Sequence, residues 1–255
     1  MLRVKTCWIS DLHLGSTQCQ ADKLLEFLKI LDAQKLYLVG DIIDFWALSR
    51  KSYWPTDHNT VVQKILRMAR HGVEVIYIPG NHDSPVRDLA DMSFGNVQVK
   101  LEDIHELKNG KKFLVTHGDQ FDTISKHYGW LSKFGAIGYD ILLQLNRFTR
   151  LIQKLFNIES HFSLSSFIKY KVKNIVKFIS DYENEICEIL KNEELDGIIC
   201  GHIHHPELIK NNDFIYLNCG DWVESLTAII ETYENELILI KKIENDIIEI
   251  KKLSI

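Results

Sequence analysis

The first eighty residues alternate between two apolar periodicities, and this alternation restricts the chain to a narrow class of folds. Residues 4–10 read as a short buried strand, and residues 21–31 carry Leu24, Leu25, Phe27, Leu28 and Leu31 at helical spacing. The pattern then repeats: strand at 36–39, helix at 58–70, and strand at 73–78 with the run Val-Glu-Val-Ile-Tyr-Ile. Strand, helix, strand, helix, strand implies βαβ units, hence a parallel sheet with right-handed crossovers. Beyond Gly95 the signal changes. Two short strand-like runs at 104–108 and 112–116 flank Asn109-Gly110, a pair favoured in type I′ hairpins, so antiparallel pairing begins there. Residues 124–192 read as helical, and strand signals return at 197–200, 214–218, 227–232, 237–240 and 247–250, the last of them a meander. No repeat or linker interrupts the chain. The expectation is therefore one α/β domain over residues 1–255 that carries a helical insertion at about 124–192.

Charge and cysteine usage exclude several functions. Thirty basic and thirty-five acidic side chains leave a formal charge of −5. That balance argues against a nucleic-acid partner, whose phosphates need Lys and Arg to neutralise them, while leaving room for a local basic pocket. No run approaches the roughly 18 apolar residues of a spanning helix, and residues 1–5 lead straight into a strand, so the expected location is the cytoplasm. Cys7, Cys19, Cys187, Cys200 and Cys219 are odd in number and lack C-x-x-C spacing, which reads as reduced structural thiols.

Five segments share a property that composition does not explain. Ser10-Asp11-Leu12-His13, Gly40-Asp41-Ile42-Ile43-Asp44, Gly80-Asn81-His82-Asp83, Thr116-His117-Gly118-Asp119 and Gly201-His202-Ile203-His204 each follow an apolar strand-like run and end in groups able to bind metal. Open α/β sheets place their ligands just past the carboxyl ends of the strands. A lone D-x-H or H-x-H occurs by chance and usually caps or faces solvent, whereas five such segments in this order do not arise that way. Carboxylate, imidazole and amide oxygen together suit borderline-hard divalent ions better than a thiolate zinc site.

In these five blocks (D-x-H, G-D-x-x-D, G-N-H-D, a single His, G-H-x-H) the chain resembles the calcineurin-like metallophosphoesterases. The resemblance spans Asp11 to His204. It implies an α/β fold, the two-sheet αββα sandwich of that family with a helical insertion as a lid, and two divalent ions. Asp11, His13 and His204 would hold one ion, Asn81, His117 and His202 the other, and Asp41 would bridge them. Manganese is the expected metal, with Fe²⁺, Zn²⁺ or Co²⁺ compatible with the ligands. A metal pair activates water and clamps phosphoryl oxygens. His82, next to Asn81, would meet the phosphate and protonate the leaving group, with Asp83 orienting it. Asp44 and Asp119 read as partners of ligands rather than as ligands themselves.

The stretches Leu38–Trp46, Tyr53-Trp54-Pro55, Tyr77–Asp83 and Gly220-Asp221-Trp222-Val223-Glu224-Ser225 resemble the UDP-2,3-diacylglucosamine pyrophosphatase-like branch. That branch implies hydrolysis of a lipid-linked nucleotide-sugar pyrophosphate to UMP and a lipid sugar 1-phosphate in lipid A synthesis, with peripheral contact at the inner membrane. His82 departs from it, standing where the lipid A pyrophosphatase has Arg. Asn81, His82, Asp122, Ser166, Lys169, Lys173 and His202 are candidate substrate contacts, and Arg147 is a weaker one. Lys169 and Lys173 share a helical face that equally suits solvent. Trp130, Phe134, Ile137, Leu142, Leu143 and Phe148 could line an acyl groove or simply pack together. Trp46, Tyr53 and Trp54 could stack on a base, face lipid or pack at the rim. Two alternatives remain open: a phosphodiesterase, phosphoprotein phosphatase or nuclease built on the same core, and a non-catalytic scaffold of the same fold, although no ligand position is lost here.

Overall fold

A computed structural model describes residues 1–121, 194–210, 214–244 and 246–254. The chain divides into two units, Met1–Asp119 with Cys187–Ile255, and Gln120–Ile186. The description concerns the first. The helical insertion at 124–192, with Asp122, Arg147, Ser166, Lys169, Lys173 and the apolar residues from Trp130 to Phe148, lies outside the described residues.

The expected alternation is present. Strand β1 (Leu2–Ile9) is followed by α1 (Ala21–Ile30), β2 (Leu31–Val39), α2 (Phe45–Arg50), α3 (Thr56–Arg70) and β3 (Glu74–Ile78). β1, β2 and β3 pair in parallel, Cys7 opposite Leu36 and Leu36 opposite Val75. Helix α1 turns its Leu24, Leu25, Phe27 and Leu28 inward, and α3 its Val61, Ile65, Met68 and Ala69. Both stripes cover one face of the sheet, meeting Cys7 and Ile9 of β1, Leu36 and Leu38 of β2, and Val75 of β3. The intervening residues Trp8, Tyr37, Val39, Ile76 and Ile78 point to the opposite face, as the period of two requires.

That opposite face meets a second sheet. After a 3-10 turn (Ser84–Leu89) come β4 (Ser93–Phe94), β5 (Val97–Val99), β6 (Asp103–Glu106) and β7 (Lys112–Val115). Past the insertion lie β8 (Gly197–Cys200), β9 (Glu207–Lys210), β10 (Ile215–Asn218), β11 (Thr227–Glu231), β12 (Glu236–Ile243) and β13 (Asp246–Ser254). The strands order as β13-β12-β11-β1-β2-β3-β5-β4 in one sheet and β6-β7-β8-β10-β9 in the other. Phe113, Val115, Ile199, Ile215 and Leu217 of the second sheet pack on Trp8, Tyr37 and Ile76 of the first. Each large side chain fully withdrawn from water in this layer contributes roughly 1.5–3 kcal/mol. The described residues thus form helices, sheet and sheet, layers that the resemblance led us to expect.

A buried polar cluster bridges the two sheets inside this apolar layer. Glu231 on β11 is fully buried. Its Oε2 accepts from Thr6 Oγ1 at 2.7 Å and lies 3.0 Å from His105 Nε2 on β6, while its Oε1 accepts from Lys5 Nζ at 2.6 Å. Burial alone would raise this carboxyl, but the hydrogen bonds from His105, Lys5 and Thr6 hold it below its ordinary value.

Several elements depart from expectation. Helix α2, strands β4, β5 and β9 and the 3-10 turn were not expected, because none is long enough to show a period. β2 starts at Leu31, directly at the end of α1, five residues before the expected start. The β6–β7 connection is not a type I′ turn. Gly110 alone of the Asn109-Gly110 pair has positive φ (85°), and Gly110 N donates to Leu107 O at 2.9 Å, the pattern of a type I turn closed by a glycine bulge. No helix among the described residues is long and apolar enough to cross a membrane. Burial pushes the Cys7 and Cys219 thiols far up and Cys19 to about 12, so none of the three is a thiolate at neutral pH.

Candidate functional site

Because β1, β2 and β3 run parallel in one sheet, and β7, β8 and β10 in the other, each set ends on a common edge. The segments just past β1, β2, β3, β7 and β8 are the five blocks of the sequence. Their side chains converge. Asp11 Oδ1 lies 3.1 Å from His204 Nε2 and 3.9 Å from His13 Nε2, and the two imidazole nitrogens face each other at 3.3 Å. Asp41 Oδ2 lies 3.4 Å from His117 Nε2 and 3.9 Å from His13 Nε2, and His117 Nε2 lies 3.2 Å from Asn81 Oδ1. His202 joins this second group by ring contact with His117, centroids 5.1 Å apart, and its backbone N–H donates to Asp11 Oδ2 at 3.0 Å.

Holding side chains this close constrains the backbone. Asp11, His13, Asp41, His202 and His204 all adopt left-handed φ, between 51° and 71°. Non-glycine residues seldom do so, and observed strain of this kind concentrates at functional sites. Neighbouring glycines supply the remaining room. A Cβ at Gly40 would overlap the His117 ring, one at Gly80 would meet His117 Nε2 at 2.6 Å, and one at Gly201 would overlap the Asp11 carboxylate.

The donor set fits divalent ions. Asp11 Oδ1 is buried and accepts no hydrogen bond. Asp11, His13 and His204 form one cluster of ligand atoms, Asp11, Asp41 and His117 another, and His13, Asp41 and His82 a third. Donors about 2.1 Å from a shared ion stand roughly 3.0–3.4 Å apart, close to the separations seen in the first cluster. Asp11, His13 and Asp41 each belong to two of these clusters, so the three clusters adjoin one another.

The ring nitrogens turned away from the centre are each backed by an acceptor. His117 Nδ1 lies 3.0 Å from Val39 O, and His13 Nδ1 lies 3.1 Å from Asp44 Oδ2. His82 Nδ1 lies 3.0 Å from the other Asp44 oxygen, which also accepts from Ala47 N and so caps α2. The expectation that Asp83 orients His82 is therefore corrected, since Asp44 does so. Asp83 is spent on the backbone: its carboxylate accepts from Asp41 N, Ile42 N, Gly80 N and Tyr77 Oη, binding the β2 and β3 loops together. Asp119 forms a paired contact with Arg87 at 2.7 and 2.8 Å. Trp46 packs on the His82 ring, centroids 4.1 Å apart. Tyr53 and Trp54 turn instead to His58, whose Nδ1 accepts from Gly15 N.

The electrostatics are those of a cation site. Burial would raise the Asp11 and Asp41 carboxyls, yet His204 beside Asp11 and His117 beside Asp41 hold both below the usual carboxylate range. Burial would lower the imidazoles, yet the carboxylates push His117 up to about 10 and His204 up to about 9. His82 is likewise raised against its burial, chiefly by its hydrogen bond to Asp44. Asp83 is raised by burial among apolar and like-charged neighbours. Sequence reasoning missed one residue of this region, Asp221 past β10, although its Gly-Asp pair after an apolar strand repeats the pattern of Gly40-Asp41.

The model of the calcineurin-like phosphoesterase family matches residues 4–206. The UDP-2,3-diacylglucosamine hydrolase of Histophilus somni is 27% identical over 248 residues, covering 91% of this chain and 97% of its own. The enzyme of that name from Porphyromonas gingivalis is 23% identical over 270 residues, covering 92% and 99%. Among solved structures, the E. coli phosphoesterase Yfce shares the fold with a TM-score of 0.50 at 16% identity, over 97% of each chain. The family match, which takes in all five ligand-bearing segments, makes this chain a member of the calcineurin-like phosphoesterase family and a metal-dependent hydrolase.

Proposed function

We propose that the protein hydrolyses the pyrophosphate of UDP-2,3-diacylglucosamine or a closely similar nucleotide-sugar, releasing UMP and a lipid sugar 1-phosphate. The observation that carries this reading is the extent of likeness to hydrolases of that name, which runs over nearly the whole of both chains rather than over the metal-binding segments alone. In this proposal Asp11, His13 and His204 hold one divalent ion, Asn81, His117 and His202 hold a second, and Asp41 serves both, with manganese as the working metal. Bound there, the ions supply an activated water and neutralise phosphoryl charge.

The remaining work falls to the protein. His82, whose pKa is raised chiefly by its hydrogen bond to Asp44, presents Nε2 toward the shared carboxylate at 4.0 Å and donates a proton to the departing oxygen. Asp44 fixes the donor's orientation from behind. Trp46 packs against the His82 ring and is itself 40% exposed. Substrate contacts by Asn81, His82 and His202 from the centre complete the proposal.

The test is a panel of candidate substrates with Mn²⁺: UDP-2,3-diacylglucosamine, UDP-N-acetylglucosamine, a phosphopeptide, single-stranded DNA and a generic phosphodiester. UMP release from the acylated substrate, lost in His82→Ala while both ions stay bound, is the expected outcome. Turnover of DNA or phosphopeptide without UMP release would overturn it.

A further inference from the structure

We propose that Asp221 is a positioning residue for His204, and that it sets the cation affinity of the site formed by Asp11, His13 and His204 without setting that of the other site. The inference rests on reading those three residues as metal ligands. Asp221 occupies a sixth strand end, past β10, beside the five that carry the candidate ligands.

Two observations converge on this role. The first concerns the carboxylate itself, which is 1% exposed. Its two oxygens do different things. Oδ1 accepts from three successive backbone N–H groups, Val223 at 2.8 Å, Glu224 at 2.5 Å and Ser225 at 3.2 Å, so its place is fixed by the turn it closes. Oδ2 is left facing His204 Nδ1 at 3.9 Å, an ion-pair separation. His13 and His117 each have an acceptor behind Nδ1 that turns Nε2 to the centre, Asp44 for the first and the Val39 carbonyl for the second. Asp221 stands on the same side of His204, at ion-pair range rather than hydrogen-bond distance. A carboxylate in that position selects the Nδ1–H tautomer, leaves the Nε2 lone pair for a cation and makes the imidazole a stronger donor.

The second observation is that the Asp221 segment joins the two loops which supply this site. Trp222 N donates to Asp11 O at 3.1 Å, and Ser10 Oγ donates to Gly220 O at 2.8 Å, which secures the Asp11 side. Asn218 Nδ2 donates to Gly201 O at 2.7 Å, which secures the loop carrying His204. Of the second site's candidate ligands, Asn81 and His117 lie past β3 and β7, while His202 shares the loop that Asn218 secures; the Asp221 carboxylate itself faces a candidate ligand of the first site, His204. Its influence is therefore expected to be confined to one ion.

Asp221→Asn separates the two roles of the carboxylate. The amide oxygen still accepts the three N–H bonds of the turn, while an NH₂ group replaces the acceptor that faces His204. Titration of the full chain, freed of metal by EDTA, with Mn²⁺ followed by calorimetry and by electron paramagnetic resonance reads each site. The parent chain is expected to bind two ions. The Asp221→Asn variant is expected to bind one of them about 10–100-fold more weakly, the usual effect of losing a partner behind a ligand imidazole, and the other within about threefold. Its melting temperature in EDTA is expected to match the parent's. Equal affinity at both sites in the variant would overturn the inference and leave the metal centre standing. Weakening of both sites together with a lower melting temperature in EDTA would also overturn it, by assigning Asp221 to the fold of the turn. A parent chain that binds no Mn²⁺ would overturn the metal centre itself. Asp221→Ser, which can cap the same N–H groups without a charge, is the second variant and is read by the same criteria.

Discussion

Replacing Asp44 by Asn tests how far one carboxylate organises the site. Asp44 is 6% exposed and serves three groups at once: His13 Nδ1 at 3.1 Å, His82 Nδ1 at 3.0 Å and Ala47 N at 2.8 Å. Asn keeps one oxygen, which in the place of Asp44 Oδ1 still serves both the helix cap and His82, leaving His13 without its acceptor. The Asn NH₂ must then face that imidazole, donor against donor. The loss is one charge-assisted hydrogen bond plus an unsatisfied buried donor, together about 2–4 kcal/mol. For a chain of this size that corresponds to a fall in melting temperature of roughly 5–15 °C. Turnover should fall further than stability suggests, because His13 loses the acceptor that orients it and His82 loses the carboxylate charge that raises its pKa, and general-acid catalysis contributes about 10²–10⁴-fold. The assay is thermal melting alongside Mn²⁺-dependent hydrolysis of a generic phosphodiester, with an expected drop in kcat of at least about tenfold. An Asn variant with the parent's kcat and melting temperature would show that Asp44 is a bystander and would refute the argument.

Three further outcomes are expected. Gly80→Ala, whose new methyl would meet His117 and Asp41, should abolish Mn²⁺ binding in calorimetry while Gly72→Ala, in open space, binds normally and loses only stability through its left-handed φ. Mn²⁺ at about a hundred times its Kd should stabilise the protein by roughly 2.7 kcal/mol per occupied site, read as a melting temperature that falls on adding EDTA; no shift would contradict metal binding. Glu231 gives the pH dependence: its carboxyl is lowered in the folded protein, so its contribution to stability is present above its unfolded value near 4.5 and is lost as pH falls through the folded value. Glu231→Gln should lower the denaturation midpoint at pH 7 and flatten its decline toward acid, and an unchanged acid slope would argue against the inter-sheet cluster as its source.

What the sequence disclosed and what it hid follow from the range of the forces involved. The βαβ core was legible because Leu24, Leu28, Val61 and Ile65 repeat at helical spacing and β1 to β3 alternate between two buried faces. The five segments that converge past the strand ends stood out in the sequence because each is short and follows a strand. Partners reached through space were not. Asp83 is adjacent to His82 in sequence, yet in the extended turn after β3 its side chain points back to the backbone of β2, whereas Asp44, thirty-eight residues away, meets the ring. Asp221 was obscured for the same reason, because its relation to His204 depends on β10 lying beside β8. Short elements such as α2, with no buried residue, carry no periodic signal to read.

The left-handed backbone at five candidate ligands has a consequence for how such a chain can change. Each such residue costs roughly 1–2 kcal/mol relative to an ordinary conformation, with Asp toward the lower end. Summed, this is of the same order as the whole net stability of a domain, about 5–15 kcal/mol. The positions where function resides are therefore also those where glycine would relax the backbone most. A descendant released from catalysis could gain stability by shedding these side chains, and selection for thermal robustness alone would drift toward an inactive relative of the same shape.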